Sequence, residues 1–309
     1  MAPVVRSLLV DVIKACLRYR VTGLAAEAAF FALLSLPPLV LGVLASLSYF
    51  ADVVGEDTVT RVRVNILDLT STVFTQESIE NVVIPTLNGS LENGRGGIIS
   101  IGFVLALWSG SRALNVFVDT ITIMYGLGGH RGIIKTRALS FSLYVIGLVL
   151  GTIAVPLLLA GPGLVARVLP ESLDLLNALY WPVVILLSVV FLTTLYHLSV
   201  PVRTSWTSDL PGAAVALLMW ILGGFALRES LEFALEGSSL YGPLTAPIAV
   251  LLWLFVTALA VLIGAALNAE IDKHYPRAST ARARRRAAHE ERPGSADADN
   301  PVPAEPSDS

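Results

Sequence analysis

The residues most able to do chemistry in this chain are a few charged and amide side chains set within apolar runs. Arg112, Asn115, Asp119 and Thr122 follow one another at intervals of three, four and three. That spacing puts all four on one face of a helix. An ionisable group in a hydrocarbon layer is costly unless it is paired, so Arg112 needs a partner. Asp119 lies two turns further on, about 10 Å along the axis, too far for a direct pair. Depth selects other candidates. Glu27 opens the first long apolar run, and Asn268 and Glu270 close the last. If these ends lie on the side nearest Arg112, then Glu27, Arg112, Asn115, Asn268 and Glu270 form one polar cluster. Such a cluster is suited to hold a lipid headgroup or an ion. In the alternative, Arg112 snorkels to headgroups while Glu27 and Glu270 only cap helix ends.

Other chemistries lack their residues. The histidines are His130, His197, His274 and His289, and no two are spaced as metal ligands. His197, inside an apolar run, reads as a buried histidine satisfied by a neighbour. Cys16 is the one cysteine, which excludes an intrachain disulfide and a cysteine zinc cluster. No GxxxxGK[ST], GxSxG or GxGxxG occurs. The expectation is no catalytic residue, no metal and no cofactor. A net charge of −3 and the absence of interleaved aromatic and basic residues point away from nucleic acid.

The elements that position the cluster follow from composition. Of 309 residues, 54% are hydrophobic and 15% charged. Soluble domains carry about 25% charged residues, so a water-soluble enzyme is nearly excluded. A bilayer core needs roughly 20 apolar residues per helix. Six runs meet this, at 28–50, 98–118, 138–160, 178–200, 210–227 and 243–267. None alternates as a membrane barrel strand does, so the fold class is an all-α integral membrane protein with six transmembrane helices.

Basic residues orient it. Arg6, Lys14, Arg18, Arg20, Arg131, Lys135, Arg137, Arg203 and the arginines after Lys273 fall on one side. The opposite loops are acidic, so both termini are expected in the cytoplasm and the protein in the cell membrane. Residues 1–26 read as an amphipathic helix, with Val5, Leu8, Leu9, Val12, Ile13, Cys16 and Leu17 on its apolar face. It lies either on the membrane surface or against the bundle. The external loop 51–97 is too long to be structureless and is expected to carry short helices. Residues 273–309 lose all apolar periodicity and are expected to be a disordered cytoplasmic tail. Their basic half either anchors the topology or holds anionic headgroups.

Several helices contain breakers. Pro37 and Pro38 sit in the first span, Pro156 in the third, Pro182 in the fourth, Gly223 and Gly224 in the fifth, and Pro243 and Pro247 in the last. Proline removes a backbone hydrogen bond, and such breaks line cavities in some membrane proteins and occur in plain bundles too. Gly147-xxx-Gly151 is a small-residue packing motif.

These residues, in order, resemble a known family. Pro201-x-Arg203, Leu210-Pro211-Gly212, Tyr241-Gly242, Leu252-Trp253-Leu254 and the run from Leu262 through Gly264 to Ala269 match features of the YihY/virulence factor BrkB family. Ala25 to Pro38 and Trp108 to Asn115, followed by Arg131 and Arg137, are similar to its opening helices. The likeness covers about residues 5–275. It departs at Pro37-Pro38 and at Asp119, where the family differs. The resemblance implies a six-helix bacterial inner-membrane protein linked to envelope integrity. Members were once labelled ribonuclease BN, a mislabelling, and no nuclease residues are found here.

The resulting expectation is passive or ion-coupled translocation of a lipid or amphiphile, with Tyr241 and Gly242 shaping the approach to the last helix. The alternative is a scaffold that binds an envelope protein through its external loop. A membrane enzyme or ribonuclease ranks last. Membrane lipids are the expected partners, and the oligomeric state is left open.

Overall fold

The structure, a computed structural model, describes residues 2–49, 96–168, 174–202, 204–235 and 242–290. Within these, side chains are described for 6–36, 104–105, 107–150, 181–202, 204–231 and 247–288. The described residues form eight α-helices and one short 3-10 turn, with no strand. They are α1 (Ala2–Arg18), α2 (Val21–Tyr49), α3 (Gly96–Met124), α4 (Ile133–Val168), α5 (Asp174–Ser199), the 3-10 turn Trp206–Asp209, α6 (Leu210–Leu235), α7 (Gly242–His274) and α8 (Ala278–Glu290). The helices exceed the apolar runs at most ends, because flanking Thr, Arg and Glu residues still propagate a helix. Among the described residues, four helices are long and apolar enough to cross a membrane. The count rises to five if α1 and the start of α2, bent by 60°, act as one span.

The bend comes from Arg20, whose φ of 52° puts it in the left-handed region. That conformation closes α1 as a terminal glycine would. Of the segment 1–26 expected as one amphipathic helix, α1 covers 2–18 and α2 begins at Val21. α1 packs one face against the bundle and leaves another exposed. Val12 and Ala15 are buried in the core, while Leu9, Ile13 and Leu17 stay exposed.

The expected breaks do not interrupt the helices. α2 runs through Pro37 and Pro38, α4 through Pro156, α5 through Pro182, α6 through Gly223 and Gly224, and α7 through Pro247. Pro211 and Pro243 fall in the first turn of their helices, where the missing N–H would have had no partner. Loop 51–97 lies outside the described residues apart from the start of α3, and so does Tyr241. Gly242 begins α7, and the surroundings of Gly151 in α4 lie outside the described side chains.

Among the described side chains, the core forms around two helix pairs. α2 packs on α3, and α6 on α7. Ala25, Ala28, Val118, Ile121, Tyr196, Leu262 and Ala266 are all nearly inaccessible there. A close backbone contact joins Gly212 of α6 to Gly264 of α7. A methyl group on either would collide with the carbonyl oxygen of the other. Gly147 differs: no atom lies within 4 Å of where its Cβ would sit. Arg131 fastens the end of α5. Its guanidinium donates to Leu198 O at 3.1 Å, Ser199 O at 3.5 Å and Val200 O at 3.4 Å. A cation there also suits the negative end of the helix dipole.

The basic tail is the main correction. Residues 278–290, expected to be disordered, form α8. It is held by polar groups rather than by an apolar stripe, with only Thr280 and Ala283 buried. Residues 291–309 lie outside the described residues.

Candidate functional site

The five residues expected in one cluster divide among three places. Glu27 on α2 and Arg112 on α3 do meet, with Nη2 and Oε1 3.6 Å apart. Their side chains remain 40% and 44% exposed. In water such a pair contributes up to about 1 kcal/mol; away from water the attraction is larger. The Arg112 guanidinium lies 5.1 Å from the Phe31 ring centroid, in cation–π range. Phe31 meets Trp108 edge-on at 6.5 Å, and Arg137 lies 5.8 Å from the Trp108 centroid. Two adjacent aromatic rings, Phe31 and Trp108, are thus flanked by a cation at each end, Arg112 and Arg137. Phe30, Leu34, Val104 and Leu105 surround them as exposed apolar surface. Asn115 points to α4, where its Oδ1 accepts from Ser140 Oγ at 3.4 Å.

Glu270 sits apart. Lys273 Nζ donates to it at 2.6 Å. The two line a cavity of about 230 Å³ with Asp11, Lys14, Arg18 and Tyr19 of the α1 region. Asn268 is elsewhere again, almost fully buried. Its Oδ1 accepts from Gly212 N at 2.8 Å, and its Nδ2 donates to Asp209 O at 2.9 Å. It therefore ties α7 to the start of α6 beside the glycine contact.

Asn268 leads to a buried network that the sequence reading missed. Asp209 has no exposed side-chain surface. Tyr125 donates its hydroxyl to Asp209 Oδ1 at 3.2 Å, and His197 Nδ1 lies 3.6 Å from Oδ2. Burial first, and then the charge of Asp209, holds the Tyr125 phenol far above its ordinary range, so it remains a donor. Asp272, one turn beyond Asn268, is also fully buried. It accepts from Thr280 Oγ1 at 3.1 Å, is bonded by Arg284 Nη2, and has Arg277 Nη1 at 3.7 Å. Arg284 also donates Nε to Tyr125 O at 2.8 Å. One connected set of polar groups therefore joins α3, α5, α6, α7 and α8. The signals were weak. Asp209 directly precedes Leu210-Pro211-Gly212, and Asn268 and Asp272 share a helix face at a spacing of four.

Chemically, the Glu27–Arg112 place offers charge and aromatic faces on an apolar surface, and the Asn268 place offers the buried acids Asp209 and Asp272 shielded from water. Among the described residues no three His, Cys, Asp or Glu side chains converge to hold a metal ion.

The chain is 25% identical over 258 residues to a Bacillus subtilis (strain 168) protein named ribonuclease-like protein YfkH. That alignment covers 80% of this chain and 89% of the relative. No solved structure matches. Residues 12–289 match the family described as virulence factor BrkB. With the match running from α1 into α8 and several long apolar helices within it, the chain is a transmembrane protein that belongs to the virulence factor BrkB family.

Proposed function

We propose that the protein is a six-span inner-membrane protein with both termini in the cytoplasm. On this reading it translocates a lipid or other amphiphile, passively or coupled to an ion, in support of the envelope, and it is not an enzyme. One observation carries the reading: the half-exposed Glu27–Arg112 pair within the exposed apolar surface of α2 and α3. A buried ion pair repays its desolvation only when its remaining donors and acceptors are also hydrogen-bonded. This one stays open toward the surface and is flanked by Phe31, Trp108 and Arg137. A phosphate-bearing headgroup would meet Arg112 and Arg137, and its acyl chains would lie along Phe30, Leu34 and Leu105. α1, with Leu9, Ile13 and Leu17 exposed, would rest in the cytoplasmic leaflet interface beside Lys14 and Arg18. The exposed arginines of α8 would face anionic headgroups.

The test is movement of fluorescent phospholipid across liposomes that hold the purified protein. Wild type should exceed empty liposomes, and Arg112→Ala should slow movement about tenfold, equivalent to about 1.4 kcal/mol of headgroup contact. Exchanging the charges, Glu27→Arg with Arg112→Glu, should recover folding lost in either single variant. If folded wild type moves no lipid with any of several headgroups, the translocation reading fails. A scaffold that binds a partner through loop 51–97 then takes its place.

A further inference from the structure

We infer that Asp209 is a proton-binding site served by His197, at the junction of α3, α5, α6 and α7. Three observations carry it. The Asp209 side chain is wholly buried, yet its two oxygens are treated differently. Oδ1 accepts from Tyr125, while Oδ2 has no hydrogen-bond donor. A buried carboxylate oxygen without a donor favours taking up a proton.

The second observation is the position of His197. Its Nδ1 lies 3.6 Å from that same Oδ2, while 30% of its side chain is exposed. Nδ1 is also 3.4 Å from Thr204 Oγ1, which steadies the ring. An imidazole has a nitrogen on each side and can take a proton at one while releasing one at the other.

The third is that the neighbouring cations stand off from Oδ2. Arg277 Nη1 is buried with no hydrogen-bond partner, 3.7 Å from Asp272. Arg284 is engaged by Asp272 and by the Tyr125 carbonyl. Among the described residues, the charged and titratable groups around Asp209 are Tyr125 just after α3, Tyr196 and His197 from α5, Asp272 from α7, Arg277 from the α7–α8 connection and Arg284 from α8; Tyr196 donates its hydroxyl to Val261 O instead. None fills Oδ2 as a permanent donor.

The step is a simple transfer. A proton from water binds His197 Nε2, the Nδ1 proton passes to Asp209 Oδ2, and the imidazole returns to neutral. No other bond forms or breaks. Neutral Asp209 then loses its charge-assisted bond from Tyr125 and its favourable position ahead of the α6 N-terminus. The link from α3 to α6 weakens as a result. Use of this step to drive translocation rests on the reading given under Proposed function; the binding site itself does not.

The experiment is infrared difference spectroscopy of the full chain in phosphatidylcholine vesicles, titrated with acid in H₂O and in D₂O without added cargo. Wild type should show a protonated-carboxyl C=O band that Asp209→Asn lacks. His197→Gln should keep the band and slow its deuterium exchange tenfold or more. A band that persists in Asp209→Asn, or no band at any pH, overturns the proton site. Unchanged exchange in His197→Gln overturns the route. If Asp209→Asn does not fold, Asp209→Glu decides: a shifted band supports the site, and an unshifted band overturns it. Because no lipid transport is measured, failure of translocation and failure of this site are told apart.

Discussion

Detaching α8 is the sharpest test of how the polar end of the bundle is held. Arg284 makes two contacts that alanine would remove, one to the buried Asp272 carboxylate and one to the Tyr125 carbonyl. A hydrogen bond between charged groups contributes about 1.5–3 kcal/mol and one to a carbonyl about 1 kcal/mol. Asp272 would keep Thr280 at 3.1 Å and Arg277 at 3.7 Å. The loss therefore falls near the lower end of the roughly 3–5 kcal/mol expected for an outright broken buried pair. About 3 kcal/mol corresponds to roughly a hundredfold rise in the detached population. With only Thr280 and Ala283 buried on α8, detachment is a local opening that need not unfold the bundle. Limited trypsin digestion in lipid nanodiscs reads it as cleavage at Arg282 and Arg285, which follows the open population when reclosing is fast. Arg284→Ala should accelerate cleavage about a hundredfold. Asp272→Asn, which leaves all the α8 arginines in place, should do so comparably. The double variant should be little faster than either, because both remove one interaction. Cleavage within about threefold of wild type in both single variants would refute the docking described here.

The glycines give a contrasting pair. Gly264→Ala or Gly212→Ala should lower the thermal unfolding midpoint in detergent by forcing α6 and α7 apart, at about 1–3 kcal/mol or more. Gly147→Ala, with open space around it, should be neutral or slightly stabilising. Equal midpoints for Gly264→Ala and Gly147→Ala would count against the close contact. Arg131→Ala should cost about 1–2 kcal/mol by uncapping α5, and Arg131→Lys should recover less than half of it. A lysine variant as stable as wild type in the same melt would show that charge alone, not the fork of donors, secures that end.

The membrane helices were legible because a run of about 20 apolar residues has few other uses. Glu27 and Arg112 were legible for a related reason: two ionisable groups at matching depth in apolar runs have few other partners. Asn268 was singled out with its partners misassigned, because it bonds main-chain groups, Gly212 N and Asp209 O, which side-chain periodicity does not reveal. Asp209 escaped notice. α8 was read as disordered since composition registers apolar burial, whereas α8 is fastened by Arg284 to a carboxylate on α7. Proline and glycine were over-read as breaks. Pro182, Pro247, Gly223 and Gly224 all lie within continuous helices, because in a bundle packing supports a helix through a weak point.

The Gly212–Gly264 contact also sets how the bundle can move. At Gly223 the neighbouring atom is the tip of the Val256 side chain, which can turn aside. At Gly212 and Gly264 the obstructing atoms are main-chain carbonyls, which cannot. α6 is therefore a lever with its fulcrum at one end. From Gly212 to Leu235 its arm is about 35 Å, so a tilt of about 10° swings the far tip by about 6 Å while the pivot stays nearly still. Groups beside the fulcrum, Asn268 and Asp209 among them, would govern a large displacement at the opposite face with almost no movement of their own.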